Sequence, residues 1–299
     1  MRVFFKQLYR YTHRRSYRHN ENIWPYFKIT RSETGEISKL TYRKKSIAIT
    51  TLSDLKDYYC GTVLLLATGP SIKDIDTSLI PKNMHVMGVN GAYHLADKVN
   101  FSLYTIVDMA FFDNNISLVE SIVFDKKITL FTTIHGMKRI FDRYGINVHC
   151  KLALIEDALF KIYEEKTTPE NYRDMENIYF NDSFKDIVFS SDIRKGIFDA
   201  GTVSYWSLQI LPFIGFNEIL IAGLDMNNFE KPRFYENNDN KAPSYLSNKL
   251  FDIIIPAMSL AGSILDKKNI SIINLSSISS IPDSIFKKHD FNYYLKNRG

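Results

Sequence analysis

The sequence contains little cysteine and no long apolar run, and each shortage excludes a class of protein. Only two cysteines, Cys60 and Cys150, occur among 299 residues, so a disulfide framework is excluded, and no Cys/His cluster has zinc-site spacing. No run of about 18 apolar residues is present, and the N-terminus lacks the apolar segment of a signal peptide. We therefore expect a cytoplasmic protein that folds around its own core without a membrane-spanning helix.

Acidic residues are absent from the first 20 positions, which carry six cations: Arg2, Lys6, Arg10, Arg14, Arg15 and Arg18. Aromatic and aliphatic side chains alternate with these cations, a mixture suited to the surface of an anionic membrane. Nucleic acid would also attract such a segment, and a plain disordered basic tail has the same composition. We favour contact with an anionic membrane and expect no nucleic-acid partner.

The length of the chain suits one large α/β core with a small appendage. We predict a basic, aromatic, membrane-associating arm with a linker at residues 1–45 and a catalytic domain at residues 46–299. Within the first part, residues 22–45 are polar and mixed in pattern, which fits either a small β element or a linker. Residues 32–36 are expected to form a hairpin or loop.

The stretch 61–76 organises the rest of the chain. Its apolar run is short and is closed by Gly and Pro, which predicts a buried central strand followed by a tight turn at Thr68, Gly69, Pro70 and Ser71. Ser71 and Asp74 have the spacing of a capping box that opens the next helix. Such a junction presents free backbone N–H groups and a helix dipole, so the turn is a candidate phosphate site.

Apolar runs alternate with helical patterns after residue 60. Strands are predicted at 84–89, 101–107, 128–133, 186–190, 218–222 and 270–274. Helices are predicted at 91–97, 111–124, 136–144, 202–214 and 247–265. This alternation is typical of a doubly wound, mostly parallel, Rossmann-like α/β sheet, in which ligands bind beyond the carboxyl ends of the strands where the strand order reverses.

Polar residues follow five of the predicted strands at the end of each run. Because carboxyl ends of parallel strands meet at one edge, we expect these residues to converge on one pocket. The set consists of 68–71, Asn90–Gly91, Asp108, 223–225 and 274–277.

A long polar loop follows the strand at 218–222. Such a loop at a strand's carboxyl end commonly supplies lids and acceptor contacts, and Arg233 and Tyr235 are our acceptor-side candidates. Arg offers a planar fork for a carboxylate or phosphate, and Tyr offers an apolar ring with a polar tip.

Several motifs resemble, in order and spacing, those of known glycosyltransferases. Residues 67–76, 89–90, 111–112 and 215–225 resemble the small bacterial sialyltransferases that decorate lipooligosaccharide. A closer resemblance is to the WaaZ-like lipopolysaccharide-core proteins, regarded as Kdo transferases. It is carried by the motifs Ala222–Asp225, Arg233–Glu236, Pro243–Ser247 and Ile273–Ser276. The match runs from about residue 61 to about residue 286 and does not cover the N-terminal arm.

The resemblance implies a sialyltransferase-like α/β domain that works at the cytoplasmic face of the inner membrane as a peripheral enzyme. Its donor would be a CMP-activated ulosonic acid, Kdo or a relative, and its acceptor a sugar of the lipopolysaccharide or lipooligosaccharide core. Thr68, Gly69 and Ser71 would contact the CMP phosphate region and Asn90 the nucleotide. The implied donor pocket also includes Pro70, Gly201, Thr202, Gly223, Asp225, Asn274 and Ser276.

The general base departs from the sialyltransferase pattern. Those enzymes use a His before the last long helix, and residues 244–248 contain none. Asp108 matches an acidic position of the WaaZ-like proteins and is our first candidate, with Glu236 and Asp225 behind it. Partial burial would raise the pKa of such a carboxyl group toward the working pH. His94 and His135 are expected to be structural or surface residues.

A CMP leaving group carries one phosphate, so we expect no metal ion and no other cofactor. The alternative is that residues 225–228, Asp-Met-Asn-Asn, form a metal motif of the kind used by nucleotide-sugar transferases. Two other functions remain open: a sialyltransferase using CMP-sialic acid, and a membrane- or nucleic-acid-associated binding module with a degenerate nucleotide pocket.

Overall fold

The computed structural model describes residues 2–237, 239, 241 and 246–298. Part of the Pro243–Ser247 motif therefore lies outside the described residues. Within them the chain forms thirteen strands: β1 (Phe27–Arg31), β2 (Ile37–Tyr42), β3 (Lys45–Ile47), β4 (Thr62–Leu66), β5 (His85–Val89), β6 (Leu103–Ile106), β7 (Thr129–Thr132), β8 (Lys151–Leu154), β9 (Ile178–Phe180), β10 (Val188–Ser190), β11 (Glu218–Ala222), β12 (Ser271–Asn274) and β13 (Lys287–Lys288).

The same part of the chain forms eight α-helices. They are α1 (Arg2–Thr12), α2 (Leu52–Leu55), α3 (Met109–Asn114), α4 (Ile116–Val123), α5 (Ile134–Tyr144), α6 (Val203–Phe213), α7 (Ile255–Lys267) and α8 (Phe291–Lys296).

Eight of the strands form one sheet in which every pairing is parallel. Their order is β13-β12-β11-β4-β5-β6-β7-β8. The chain therefore runs from β4 outward through β5 to β8, and later returns to add β11, β12 and β13 on the other side of β4. The strand order reverses between β4 and β11, which makes this pair the switch point of the sheet.

Helices cover both faces of this sheet. Along β4, Val63 and Leu65 pack on the face covered by α6 and α7, whereas Leu64 and Leu66 pack on the face covered by α4 and α5. All four side chains are fully buried, and burial of each contributes about 1.5–3 kcal/mol. The predicted fold class, a doubly wound and mostly parallel α/β sheet, is confirmed.

Four predicted elements differ from the structure. The helix predicted at 91–97 is a 3₁₀ helix at Asn90–Leu95. The turn after β4 leads into a short 3₁₀ turn, Pro70–Asp74, whose cap residue is Gly69. Ser71 lies inside this turn, so the capping box at Ser71 is wrong. The predicted strand at 186–190 is β10, which pairs antiparallel with β9 outside the main sheet. The predicted helix at 111–124 is divided into α3 and α4 at Asn115, whose side chain bonds back to the carbonyl of Phe111.

The N-terminal segment is folded against the main domain. Strands β1, β2 and β3 form an antiparallel sheet, so of the two interpretations of residues 22–45 the small β element is observed. Phe27, Leu40 and Tyr42 from this sheet join the core beneath α5. In α1, Tyr9 is only 1% exposed. The predicted boundary at residues 45 and 46 falls inside β3, and the membrane role of the segment stays a prediction.

One helical stretch has the length and apolar composition of a membrane span, although the sequence contains no unbroken apolar run of that length. The continuous helix Ser247–Lys267 has 21 residues and a mean hydropathy of 1.3 in its most apolar window. Half of that window is buried inside the protein. Its buried side includes Ala257, Met258 and Ala261, which pack in the core beside α6. A core helix of this kind has the same length and composition as a span.

We predict that an ion pair between the small sheet and the main sheet is important for stability. Arg31 makes two hydrogen bonds to the buried Glu156, of 2.6 and 2.9 Å. Arg31→Met leaves that carboxylate without its cation and should lower the free energy of unfolding by about 3–5 kcal/mol in urea denaturation. Arg43→Met is the control, because the Arg43 side chain is 59% exposed and that of Arg31 21%. Arg43→Met should lower the free energy of unfolding by about 1 kcal/mol or less. Equal losses of unfolding free energy in the two variants would contradict the prediction.

Candidate active site

A cavity of about 320 Å³ opens at the carboxyl edge of the sheet, above the switch point. The ends of β4, β5, β6 and β11 form its floor, as expected for an open parallel sheet. Eleven of the predicted site residues line it: Thr68, Gly69, Pro70, Asn90, Asp108, Gly201, Thr202, Gly223, Asp225, Arg233 and Glu236. The convergence predicted from the strand ends is therefore observed for the ends of β4, β5, β6 and β11, whereas residues 274–277 at the end of β12 do not line the cavity.

The turn after β4 is held by Asp225, and the N–H groups of Gly69 and Ser71 in this turn already have acceptors. The Asp225 carboxylate, 2% exposed, accepts hydrogen bonds from the Ser71 backbone N–H (2.8 Å) and the Ser71 hydroxyl (2.5 Å). The Gly69 N–H donates to the carbonyl of Gly223 (3.0 Å). The prediction that these two N–H groups hold a phosphate is wrong, because Gly223 and Asp225, which follow β11, already accept their hydrogen bonds.

Two predicted donor-pocket residues lie behind this contact. Ser276 is buried, accepts a hydrogen bond from the Gly223 N–H (2.9 Å) and lies 3.3 Å from the Ser71 hydroxyl. Asn274 is fully buried and accepts from the Ser276 N–H (3.1 Å). Neither residue lines the cavity, nor does Ser71. The structure therefore places Ser71, Asn274 and Ser276 where they join the β4, β11 and β12 ends together.

Glycine is required where these strand ends approach each other. A Cβ atom at Gly69 would lie 2.4 Å from the nearer Asp225 oxygen and 2.6 Å from the Gly223 carbonyl. Gly223 has a φ of +77°, which other residues rarely adopt. A side chain at either position would separate the two strand ends and open the wall of the cavity.

Strained backbone and an unpaired amide oxygen gather around the cavity. Asn90, Met226 and Asn228 have φ values of 45°, 48° and 48°. Such left-handed residues cost free energy and are concentrated at functional sites. The Oδ1 atom of Asn90 is buried and, among the described residues, has no hydrogen-bond partner. An unpaired buried acceptor on a cavity wall favours a ligand that supplies a donor there.

Asp108 lies between β6 and α3 and caps that helix. Its Oδ1 accepts the N–H groups of Ala110 (2.9 Å) and Phe111 (3.2 Å). The residue is exposed rather than partly buried, and it lines the cavity. Asp108 is therefore a carboxylate that is fixed by the helix and still accessible to a ligand.

The acceptor-side candidates form a compact unit around Glu236. That carboxylate accepts from the Arg233 guanidinium (2.6 Å) and from the Arg233 backbone N–H (2.9 Å). Since both oxygens are engaged, Glu236 is less available as a base than Asp108. Tyr235 does not line the cavity; its ring stacks on His94 at 4.7 Å. Burial raises the pKa of Tyr235 to about 12, so its hydroxyl stays protonated.

Three lysines of the cavity were missed in the sequence: Lys231, Lys241 and Lys249. Lys241 pairs with Glu230, whereas Lys231 and Lys249 have no ion pair among the described residues. The stem of Lys249 crosses Gly201, where a Cβ atom would lie 3.1 Å from it. A cation at a helix N-terminus opposes the helix dipole and is therefore unfavourable there. Lys249 stands in this position before α7, and such a local conflict in the sequence could have indicated a functional residue.

The residues from 225 to 228 do not converge as metal ligands. The Asp225 carboxylate is used by Ser71, and the Asn227 side-chain oxygen accepts a hydrogen bond from Asn228 (3.1 Å). No group of three or more His, Cys, Asp or Glu residues in the described ranges is arranged to hold a metal. Metal independence stays a prediction.

Comparisons with known proteins give partial matches. No protein-family model matches the chain. A probable 3-deoxy-manno-octulosonic acid (Kdo) transferase of Salmonella typhimurium is 31% identical over 91 residues, which are 30% of this chain and 31% of that protein. A probable Kdo transferase of Escherichia coli is 32% identical over 93 residues, 31% of each chain. The match thus spans about a third of these curated relatives.

Solved structures of a sialyltransferase are also similar to this chain. The sialyltransferase CST-II in complex with a trisaccharide acceptor and CMP is 15% identical, with a TM-score of 0.43, and covers 77% of this chain and 87% of its own. The Campylobacter jejuni CstII complex with cytidine-5'-monophosphate is 14% identical, with a TM-score of 0.42 and coverages of 77% and 86%. The probable Kdo transferases are of the group that the second set of sequence motifs resembles, which confirms that resemblance over the matched third of the chain.

We predict that Asp225 is needed for stability rather than for direct contact with a ligand. Asp225→Asn replaces one acceptor oxygen by an amide that faces a Ser71 donor, and should lower the free energy of unfolding by about 1.5–3 kcal/mol. Asp108→Asn is the matched control, because asparagine caps a helix as well as aspartate does. Denaturant unfolding measures both changes. Unchanged stability in Asp225→Asn would contradict this role.

Proposed function

We propose that the protein is a glycosyltransferase that moves Kdo, or a related ulosonic acid, from a CMP-activated donor to a core sugar of lipopolysaccharide or lipooligosaccharide. The observation that carries this proposal is the cavity at the switch point, which combines an accessible carboxylate with unpaired lysines. The partial similarity to the probable Kdo transferases supports the choice of donor sugar and acceptor. A sialyltransferase that uses CMP-sialic acid is the second candidate, favoured by the motifs at 67–76 and 215–225.

The charge of the cavity suits such a donor. A CMP-ulosonic acid carries a negative phosphate diester and a negative carboxylate. Lys249 and Lys231 are the cations that would bind these two groups, because neither has an ion pair among the described residues. The hydroxyls of Thr68 and Thr202 would add donors to the phosphate. Asn90 would bind the nucleotide through its unpaired amide oxygen.

The reaction we propose is a direct displacement at the anomeric carbon. The acceptor hydroxyl forms the new C–O bond and loses its proton to Asp108, while the bond from the anomeric carbon to the phosphate oxygen breaks. CMP leaves with that electron pair, and Lys249 stabilises the developing charge. The leaving group carries one phosphate, so the lysines suffice and no metal ion or other cofactor is required.

We further propose that the protein is peripheral on the cytoplasmic face of the inner membrane, attached through α1. One face of this helix, with Phe5 and Tyr9, packs against Trp24. The exposed surface of this helix carries Val3 and three larger apolar side chains at helical spacing, namely Phe4, Leu8 and Tyr11. An exposed apolar stripe of this kind is suited to insertion between lipid headgroups.

The cations available to such a membrane are fewer than the sequence suggests. Lys6 and Arg10 both pair with Glu21. Arg14, Arg15 and Arg18 are exposed and have no ion pair among the described residues. Each free cation near an anionic surface contributes about 1 kcal/mol. Apolar insertion by α1 and attraction by these three arginines would therefore act together.

The experiment that tests the function is turnover of a panel of CMP-sugars, measured as CMP release with and without lipopolysaccharide core. We expect CMP-Kdo to be consumed in the presence of the core, with unchanged rates in EDTA. Preference for CMP-sialic acid would favour the second candidate. No release from any CMP-sugar would contradict the proposal, and loss of activity in EDTA restored by magnesium or manganese would contradict metal independence.

The role of Asp108 gives a sharper prediction. Asp108→Asn keeps the helix cap and removes the proton acceptor, so CMP affinity should stay the same while transfer falls by about 10²–10⁴-fold. Asp290→Asn is the control, because Asp290 caps α8 in the same way, through the Tyr293 N–H. Near-normal transfer in Asp108→Asn, or a defect confined to donor affinity, would exclude Asp108 as the base.

The membrane proposal is tested by substitution rather than by deletion, because deleting residues 1–20 would also remove the buried Tyr9. The double variant Phe4→Ser, Leu8→Ser should weaken binding to phosphatidylglycerol vesicles by at least about tenfold, since each buried apolar side chain contributes about 1.5–3 kcal/mol. Phe184→Ser changes an exposed phenylalanine outside α1 and serves as control. Vesicle co-sedimentation that is the same for all three proteins would refute the attachment.

A further inference from the structure

A second cavity, of about 260 Å³, opens at the same edge of the sheet and takes no part in the donor site described above. It lies at the carboxyl ends of β6, β7 and β8. Pockets for drug-sized ligands usually have volumes of about 300–1,000 Å³, so this one suits a ligand the size of a single ring.

The two cavities share a wall. Val107 and Met109 line the second cavity, whereas Asp108 between them lines the first. Helix α6 repeats the pattern, since Ser204 lines the first cavity and Trp206 the second. The proposed base thus stands on the partition. Two ligands, one in each cavity, would have their reacting groups on either side of Asp108.

The lining of the second cavity combines aromatic rings with one available carboxylate. Trp206 and Phe160 contribute rings, and the Trp206 indole N–H is held by Asp199 at 2.8 Å. Asp157 is supported by the Leu159 N–H at 2.8 Å, and no cation pairs with it among the described residues. Sugar rings have C–H faces that pack on aromatic rings and hydroxyl edges that donate to carboxylates.

The remaining polar groups of this cavity are engaged or neutral. Glu156 is bound by Arg31 and by the Ile162 N–H (2.9 Å). The His19 ring is bonded to the Lys161 carbonyl (2.9 Å). Burial lowers the pKa of His135 to about 4, so this imidazole is uncharged at neutral pH. The uncompensated charge of the cavity is therefore negative and belongs to Asp157.

We propose that the second cavity is the acceptor subsite of the transferase and that it takes an uncharged sugar ring. The acceptor role in this inference rests on the proposed function, whereas the binding of a sugar is inferred from the residues that line the cavity. Burial, with Asp199 adding to it, raises the pKa of Asp157 to about 6, which leaves the carboxylate ionised at pH 7. An anionic sugar in this cavity would meet that charge without a cation to offset it.

The position of the N-terminal segment agrees with a lipid-linked acceptor. His19, Asn20 and Ile23 form one wall of the second cavity and follow α1 closely in the chain. The helix that carries the exposed apolar stripe is thus continuous with the wall of the acceptor subsite. A glycan attached to a membrane lipid would reach this cavity from the side on which α1 lies.

Saturation-transfer NMR with methyl α-D-galactopyranoside tests the site independently of turnover. The wild type should bind this sugar and should bind the matching methyl galacturonate at least about tenfold more weakly. Phe160→Ala should weaken galactoside binding about fivefold. Phe184→Ala is the matched control, because Phe160 and Phe184 are 40% and 41% exposed. Asp157→Asn should reduce the discrimination against galacturonate. Equal binding by wild type and Phe160→Ala, or equal binding of the two sugars by the wild type, would overturn the proposal.

Kinetics then separate the acceptor role from sugar binding. In Phe160→Ala the KM for the core acceptor should rise about fivefold, while CMP release to water and CMP affinity stay unchanged. If the KM for the acceptor stays the same while CMP affinity falls, the cavity serves the donor and the proposal is wrong. If the wild type turns over no CMP-sugar, the proposed function fails, and sugar binding in the NMR experiment would then leave a binding site without an acceptor role.

Discussion

The hydrogen bonds between Asp225 and Ser71 are the contact on which the rest of the site depends. They join the turn after β4 to the end of β11, the two strands between which the sheet order reverses. Ser276 extends the contact to the end of β12 through the Gly223 N–H. Because a buried carboxylate satisfies both donors of Ser71 and the Gly223 carbonyl accepts from the Gly69 N–H, the cavity above this turn has a fixed floor. Its recognition groups come from residues around the rim.

The fold could be predicted from the sequence because its signals are local. The apolar run of β4, the alternation of strands and helices, and the strand ends at Asn90 and Asp108 indicated a parallel sheet and its functional edge. The small N-terminal sheet could not be assigned so clearly. In β1 only Phe27 is fully buried, and the alternation of Phe27, Ile29 and Arg31 with exposed residues covers just five positions, too few to distinguish a strand from a linker.

The sequence indicated which residues lie at the site more fully than it indicated the role of each one. Asp225 and Ser71 carry the same polar groups whether they bind a ligand or each other, and only tertiary structure decides between these partners. Lys249 is brought over Gly201 by the packing of the helix Ser247–Lys267, which no short motif records. The second cavity is assembled from residues 19–23, 107–109, 133–135, 155–162 and Trp206. Residues so far apart have no common sequence signal.

We propose that the cavity at the switch point between β4 and β11 binds cytidine monophosphate. A crystal structure of the protein soaked with CMP tests it most directly. The phosphate should lie within hydrogen-bond distance, about 3.2 Å or less, of the Thr68 hydroxyl and the Lys249 ammonium. Cytidine bound in the second cavity, a phosphate bound away from both side chains, or an empty cavity at saturating CMP would contradict it.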